Sequence, residues 1–151
     1  MNIYNEYDKM GQNKVINALD NIFSAHTHTY TQHIEDCDIV DIEMDLTAST
    51  TNNVFKYVME AKDREYSSTA YSSWYLEEKK KNSLFKRSSN PFYVNTFTDG
   101  KIAFWDLSKL DFDTIETRYI YLPKTTAEKS EKIRKKVYML PLSSAVYISD
   151  I

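Results

Sequence analysis

Residues 54–64 constrain the fold of this chain more than any other stretch. Its first residues are mainly aromatic, β-branched or long apolar side chains, which predicts a half-buried β-strand. Glu60 and Lys62 follow at the end of that strand, with one residue between them. Because side chains alternate across a strand, both emerge on one face, with Cα atoms roughly 7 Å apart. A metal ion and a water can sit beside such a pair, although on a solvated face it is usually only a surface ion pair.

The strand predicted before this one is acidic. Acidic and apolar side chains alternate strictly along it, which predicts one face in the core and one carboxylate-bearing face. The acidic residues are Asp41, Glu43 and Asp45, and the apolar ones are Ile42, Met44 and Leu46. Neighbouring carboxylates repel one another, so cations, a metal ion or water must compensate them.

The turn between these two strands leaves two registers open. If the Asn-Asn pair at residues 52–53 forms a two-residue hairpin turn, antiparallel pairing places Asp45 opposite Glu60. A wider loop over residues 49–52 instead brings Asp41 opposite Glu60. Both registers keep the acidic face on the side of Glu60. We favour the two-residue turn, and therefore Asp45.

A helix is predicted over residues 69–86, with Ser67 and Ser68 as N-cap candidates. Glu77 lies one helical turn from Lys80 and Lys81, which allows an ion pair with either lysine. Basic residues on this helix are the best local candidates for contact with phosphate groups, although a solvated helix face explains them as well. They are Lys79, Lys81, Lys86 and Arg87.

The remaining elements follow from periodicity and turn residues. Apolar residues at three- and four-residue steps predict a helix over residues 2–25, which Gly11 kinks or divides. Strands are predicted at residues 29–34, 92–97, 101–107, 119–122, 137–140 and 145–148. The charged segment 125–135 is predicted to be helical or loose.

Length and composition limit the classes of protein to which the chain can belong. A chain of 151 residues is expected to form one domain, residues 1–151. The net charge of −3 provides no global basic field, so nucleic-acid contacts must come from local patches. A single cysteine, Cys37, excludes an intramolecular disulfide and is typical of a reducing compartment. With no apolar run of membrane-spanning length and no signal-peptide pattern, we expect a cytoplasmic protein without membrane contact.

The order of these elements resembles the core of the PD-(D/E)-x-K nuclease superfamily, the restriction-endonuclease-like fold that includes small Holliday-junction resolvases. The matching motifs are an Asp from residues 41–45, Glu60-Ala-Lys62, and Leu76-Glu77-x-x-Lys80-x-x-x-Leu84 in the following helix. The resemblance covers roughly residues 1–107. It implies an α/β (α+β) fold with an αβββαβ core, in which helices flank a central mixed sheet.

The resemblance also implies a function: metal-dependent hydrolysis of phosphodiester bonds in DNA, by an endonuclease or an exonuclease. The implied catalytic residues are Asp45, Glu60 and Lys62, and the implied ligands of Mg²⁺ or Mn²⁺ are Asp45, Asp41, Glu60 and the carbonyl of Ala61. Lys62 would position or help to deprotonate the attacking water and stabilise charge on the phosphate. Glu77 and Lys80 would be accessory residues.

Two other readings of the sequence remain. The chain can be a catalytically inactive member of this fold that binds nucleic acid or a protein, or an unrelated α/β domain whose acidic strand faces solvent. The expected partner is DNA, and a homodimer is expected by analogy with small nucleases that pair to cut two strands.

Overall fold

The computed structural model describes residues 3–23, 27–32, 42–47, 53–123 and 131–150. These residues form two α-helices, nine strands and two short 3-10 helices. The α-helices are α1 (Ile3–Ile22) and α2 (Glu78–Arg87). The strands are β1 (Thr27–Gln32), β2 (Ile42–Thr47), β3 (Val54–Asp63), β4 (Ser73–Glu77), β5 (Phe92–Thr96), β6 (Lys101–Asp106), β7 (Thr117–Pro123), β8 (Lys132–Pro141) and β9 (Tyr147–Asp150). The 3-10 helices are Leu107–Lys109 and Leu142–Ser144.

A six-stranded sheet in the order β1-β2-β3-β5-β6-β9 forms the centre of the molecule. Neighbouring strands are antiparallel except β3 and β5, which are parallel. A parallel pair needs a crossover connection, and the segment that contains β4 and α2 provides it. The predicted α/β class with a mixed central sheet is confirmed.

One face of this sheet packs against α1. Val15, Ala18 and Leu19 recur at three- and four-residue steps on the helix and are buried. They meet alternate residues of the strands, among them Ile42 and Met44 of β2, in one apolar cluster. The strict alternation of β2 therefore places its apolar face in this cluster, as its sequence predicts.

The other face of the sheet packs against α2 and a second, three-stranded sheet in the order β4-β8-β7. Leu84 of α2, Leu76 of β4 and Leu140 of β8 meet Trp105 of the central sheet in a second apolar cluster. Trp105 is fully buried, and its indole N–H donates to the carbonyl of Pro141 at 3.0 Å. The face that carries Glu60 and Lys62 is therefore covered by α2 and the second sheet.

Helix α1 runs without interruption through Gly11, so the chain is not divided into two helices at this residue. A Cβ atom built on Gly11 would lie 3.1 Å from the Cβ atom of Asp63 at the end of β3. The missing side chain of Gly11 therefore leaves room for the close approach of helix and strand. Asp63 also accepts from Lys14 of α1 at 3.1 Å and from the Thr96 hydroxyl at 2.6 Å.

Two predicted boundaries were wrong. The helix expected over residues 69–86 begins only at Glu78, because residues 73–77 form β4 and pair with β8. Trp74 and Leu76 alternate with less buried neighbours, the two-residue period of a strand. Residues 132–135, expected to be helical or loose, belong to β8 and pair with β7.

The other predicted strands agree with the structure within a few residues. The turn between β5 and β6 contains Gly100 with φ of 77°, the left-handed region that favours glycine. Part of the strand predicted at residues 29–34 and part of the segment 125–135 lie outside the described residues. Neither described helix is long and apolar enough to span a membrane.

Candidate functional site

Glu60 is a buried carboxylate on the central strand β3. Its side chain is almost fully enclosed, with 2% of the residue exposed. Oε1 lies 3.5 Å from Nζ of Lys80 on α2, and Oε2 has no hydrogen-bond partner among the described residues. Buried polar atoms are nearly always paired, because an unpaired one forfeits its hydration. An unpaired carboxylate oxygen in this position is therefore suited to accept a cation or a donor group.

Lys62 follows on the same face of β3, as the sequence predicts. The parallel register places Glu60 beside Tyr93 and Lys62 beside Asn95 of β5. Burial raises the pKa of the Tyr93 phenol, while the positive charges of Arg64 and Lys62 oppose that rise. Tyr93 thus remains a neutral hydrogen-bond donor among charged groups. Glu60, Lys62, Tyr93 and Arg64 form one electrostatically coupled cluster.

Arg64, which was not predicted from the sequence to be a site residue, stabilises the end of β3. Its guanidinium donates to Oδ1 of Asn95, to the Tyr93 hydroxyl at 2.8 Å and to the carbonyl of Tyr75 at 2.9 Å. It also stacks over the Tyr75 ring, 4.5 Å from the centroid. These contacts join β3 to β5 of the central sheet and to β4 of the second sheet.

Asn95 is a second residue that sequence reasoning missed. It is fully buried, and Nδ2 has no hydrogen-bond acceptor among the described residues. An amide inside the apolar strand Phe92–Thr96 was the signal in the sequence, since buried asparagine normally needs partners. The site therefore contains an unpaired acceptor on Glu60 and an unpaired donor on Asn95, on neighbouring strands and the same face.

The prediction that Asp45 lies opposite Glu60 was wrong. Asp45 pairs with Lys56, and the register is the one that the wider loop predicts. Glu60 is four residues farther along β3, so its Cα atom lies roughly 14 Å from that of Asp45. The two carboxylates are too far apart to bind one metal ion. Oδ1 of Asp45 is buried and also lacks a partner among the described residues.

The other two acidic residues of the predicted strand are Asp41 and Glu43. Asp41, which the wider loop would place opposite Glu60, lies outside the described residues. Glu43 pairs with Val58 and shares its face with Glu60. Its carboxylate forms an ion pair with Arg87 of α2, so an internal cation already compensates it.

The accessory residues form pairs other than the predicted one. Lys80 contacts Glu60, whereas Glu77, in β4 rather than in the helix, lies 3.4 Å from Nζ of Lys135. Glu78 at the start of α2 pairs with Lys136 at 3.0 Å. That ammonium, with the hydroxyl of Tyr138, holds the pKa of the Glu78 carboxyl below its ordinary value.

The four basic residues proposed for phosphate contact do not form one surface. Lys79 and Lys86 are exposed on α2. Lys81 is partly enclosed by aromatic rings, with Nζ 4.8 Å from the centroid of Phe112, and Arg87 is paired with Glu43. Lys79 and Lys86 are the two of these four that have neither an ion pair nor an aromatic contact among the described residues.

A cleft of about 450 Å³ opens at the C-terminal end of β3. Met10, Gly11 and Lys14 of α1 line one side, and residues 61–65, Phe97 and Thr98 line the other. Lys62 and Arg64 thus border both the buried cluster and this cleft. Lys14 also lines this cleft, and its ammonium is paired with the carboxylate of Asp63.

Among the described residues, no three His, Cys, Asp or Glu side chains are grouped closely enough to bind a metal ion. No family model matches the chain, no curated protein matches it in sequence, and no solved structure matches its fold. Functional conclusions therefore depend on the geometry of Glu60 and its neighbours.

Proposed function

We propose that the chain is a metal-dependent nuclease of the PD-(D/E)-x-K type that hydrolyses phosphodiester bonds in DNA. The observation that carries the proposal is Glu60, a buried carboxylate with one unpaired oxygen, two residues before Lys62 on the same face of a central strand. Burying such an oxygen costs stability, and a binding function for it offsets that cost.

The connectivity of the described elements supports the proposal. The order α1, β1, β2, β3, β4, α2, β5 differs from the αβββαβ order that the resemblance implies by the short strand β4 before α2. Strands β1 to β3 form an antiparallel meander, and β5 returns parallel to β3. Ligand sites in parallel arrangements lie at the carboxyl ends of the strands, where Lys62 and the cleft lie.

The donor set fits a hard cation in part. Glu60 and the carbonyl of Ala61 are oxygen donors of the kind that Mg²⁺ takes. Asp45 is too distant to be the second carboxylate, and Asp41, the other candidate that the sequence predicts, lies outside the described residues. A bound Mg²⁺ would supply charge stabilisation at the phosphate and lower the pKa of a coordinated water.

The residues around Glu60 have separate roles in this proposal. Lys62 places a positive charge where negative charge develops on the phosphate and orients the attacking water. Arg64 is a positioning residue in this proposal. Its hydrogen bonds to Asn95 and Tyr93 fix the position of the end of β3. Lys80 compensates the Glu60 carboxylate.

The ion pairs in the site favour one alternative, a nuclease-like fold without catalysis that binds nucleic acid or a protein. Lys80 neutralises Glu60, and Arg87 neutralises Glu43. A fold with internal cations at both carboxylates needs no metal for its stability. This alternative retains DNA or protein binding and predicts no cleavage.

Cleavage of DNA by site variants tests the proposal. Labelled single-stranded, double-stranded and branched DNA would be incubated with Mg²⁺, Mn²⁺ or EDTA. Glu60→Gln and Lys62→Met are each expected to reduce the cleavage rate by about 100-fold or more, because the first removes a charged metal ligand and the second removes the positive charge that acts at the phosphate. Lys56→Met, an exposed lysine on the same strand and face, is the matched control and should cleave at the wild-type rate.

Two results would overturn the proposal. Cleavage that persists unchanged in Glu60→Gln would show that another protein or another site is responsible. A wild-type protein that binds DNA but cleaves none of the substrates with either metal would establish the non-catalytic alternative.

A further inference from the structure

Strands β7 and β8 form a hairpin whose outer half carries exposed aromatic rings. Their pairing runs from Thr117 opposite Tyr138 to Pro123 opposite Lys132. Tyr119 is 56% exposed and Tyr121 is 69% exposed. β7 is an edge strand of the three-stranded sheet. Edge strands with large exposed aromatic side chains are sites of interaction or of aggregation.

The two tyrosines share their face with cationic side chains. Tyr119 lies opposite Lys136, and Tyr121 lies opposite Arg134. Residues directly opposite in an antiparallel pair point to the same face. The guanidinium carbon of Arg134 is 4.4 Å from the centroid of the Tyr119 ring, which agrees with this register. Aromatic and basic groups therefore alternate along one face of the hairpin.

The charge of this face is not cancelled internally toward its outer end. Lys136, on this face, forms an ion pair with Glu78, whereas Lys135 lies opposite Ile120 on the other face and pairs with Glu77. Lys132 and Arg134, nearer the outer end, form no ion pair with a carboxylate of the described residues. Both are exposed. The outer half of the hairpin thus offers two cations and two rings.

We propose that this face binds single-stranded DNA, with Tyr119 and Tyr121 stacking on bases while Lys132 and Arg134 contact phosphates. Tyr119 and Tyr121 are two residues apart on one strand, so their Cα atoms lie roughly 7 Å apart and one base can stack on each ring. Stacking on aromatic side chains requires unpaired bases, because bases in a duplex are stacked on each other. The choice of DNA as the nucleic acid rests on the proposed nuclease function.

The geometry favours this partner over a second copy of the chain. An edge strand that pairs with another copy would gain backbone hydrogen bonds, but it would bring the cations of two identical hairpins together. A polyanion is attracted by the same cations. Oligomeric state is therefore an outcome of the test.

Fluorescence anisotropy of a labelled 20-nucleotide single strand, measured in EDTA to prevent metal-dependent cleavage, tests the inference. Tyr121→Ala is expected to weaken binding by about 5- to 150-fold, the value of one base–aromatic stack. Tyr121→Phe keeps the ring and should bind within about twofold of wild type, as stacking predicts. The matched control is Tyr147→Ala, an exposed tyrosine on the central sheet outside the hairpin.

Salt dependence separates stacking from phosphate contact. Lys132→Ala and Arg134→Ala should each reduce the slope of log affinity against log salt by about 0.7, the value for one phosphate contact on a single strand. Lys9→Ala, which removes an exposed lysine of α1, should leave the slope unchanged. Thermal unfolding of each variant confirms that the fold is retained.

Three results would overturn the inference: equal affinity for a duplex of the same sequence, equal loss of binding in Tyr121→Phe and Tyr121→Ala, or a wild-type dimer that Tyr121→Ala dissociates without affecting DNA binding. Failure here is distinct from failure of the nuclease proposal. Cleavage that depends on Glu60 but not on the hairpin overturns only this inference. Hairpin-dependent binding without cleavage overturns only the nuclease.

Discussion

At the scale of residues, the burial of Glu60 has the largest energetic consequence in the site. Transfer of an ionised carboxylate from water into a protein interior costs several kcal/mol, even after relaxation. Lys80 offsets part of this cost, but its ammonium is 3.5 Å from Oε1 and its side chain is 29% exposed. Oε2 remains without a partner among the described residues. Lys80 therefore compensates the Glu60 carboxylate only in part.

Lys80→Met tests this energetic account. Without this ammonium, the buried carboxylate loses its ion pair, so the free energy of unfolding should fall by about 1–3 kcal/mol, less than for a fully buried pair because Lys80 is partly exposed. The measurement is chemical denaturation at neutral pH. Lys79→Met, at the adjacent exposed position, is the control and should change stability by less than about 0.5 kcal/mol.

A double-mutant cycle distinguishes charge compensation from packing as the role of Lys80. In the Glu60→Gln background, Lys80→Met should cost little, because no carboxylate remains to be compensated. An equal cost in both backgrounds would show that Lys80 stabilises the fold by packing alone. Addition of Mg²⁺ should restore part of the stability that Lys80→Met loses, because a cation bound only by the folded state stabilises it.

The sequence could predict only part of the site at this scale. Glu60 and Lys62 are two residues apart on one strand, so alternation alone predicts their shared face. Arg64, Tyr93 and Asn95 could not be joined to them, because their contacts depend on the parallel pairing of two strands that are about 30 residues apart. Parallel pairing leaves no local signal such as a tight turn.

At the scale of elements, the register of β2 on β3 shows the limit of alternation. The two registers predicted from the sequence differ by four residues, an even number. An even shift leaves every side chain on the same face, so the hydrophobic pattern cannot distinguish the two. Only the length of the turn does so. The prediction that the acidic residues of β2 share the face of Glu60 was therefore correct, whereas the predicted partner of Glu60 was wrong.

The start of α2 was misplaced for a different reason. Ser67 and Ser68 are good N-cap residues, but here they bind the carboxylate of Asp99 in the turn between β5 and β6. Residues 73–77 form a strand because β8, more than 50 residues later in the chain, provides its partner. Non-local pairing overrode the local signals of a helix.

Gly11→Ala tests the packing of α1 on the end of β3. Alanine favours a helix by about 1 kcal/mol over glycine. The new Cβ atom would, however, lie 3.1 Å from the Cβ atom of Asp63, whose carboxylate is held by Lys14 and Thr96. We expect the steric cost to exceed the gain in helix propensity, so that the melting temperature falls.

The matched control is Asn17→Ala, at an exposed position of the same helix. There the substitution should raise stability by about 0.5 kcal/mol, since only helix propensity changes. If Gly11→Ala raises the melting temperature as much as Asn17→Ala does, the close approach of α1 and β3 is not a constraint on the fold.

At the scale of the whole molecule, the structure divides its strands between a six-stranded and a three-stranded sheet. β4 lies between β3 and α2, and β7 and β8 follow β6 in the chain and complete the three-stranded sheet. β9 then returns to the edge of the central sheet beside β6. The sequence predicted most of these strands but not their division between two sheets, which depends on contacts between distant segments.

The nuclease site and the DNA-binding hairpin that we propose lie on different faces of the molecule. The central sheet, with α2 above it, encloses Glu60, while the outer half of the β7–β8 hairpin presents its rings to solvent. A bound strand would contact the hairpin, and a phosphodiester would have to reach the cleft beside Lys62. Homodimer formation stays a prediction.

The measurement that tests the central claim most directly is a calorimetric titration of Mg²⁺, repeated with Mn²⁺, into three proteins. The wild type should bind the metal, Glu60→Gln should not, and Asp45→Asn should bind as the wild type does. Asp45 is the matched control because its carboxylate also has an unpaired buried oxygen, on the same sheet face but roughly 14 Å from Glu60. Absence of binding by the wild type with and without DNA, or loss of binding in Asp45→Asn but not in Glu60→Gln, would contradict a metal site at Glu60.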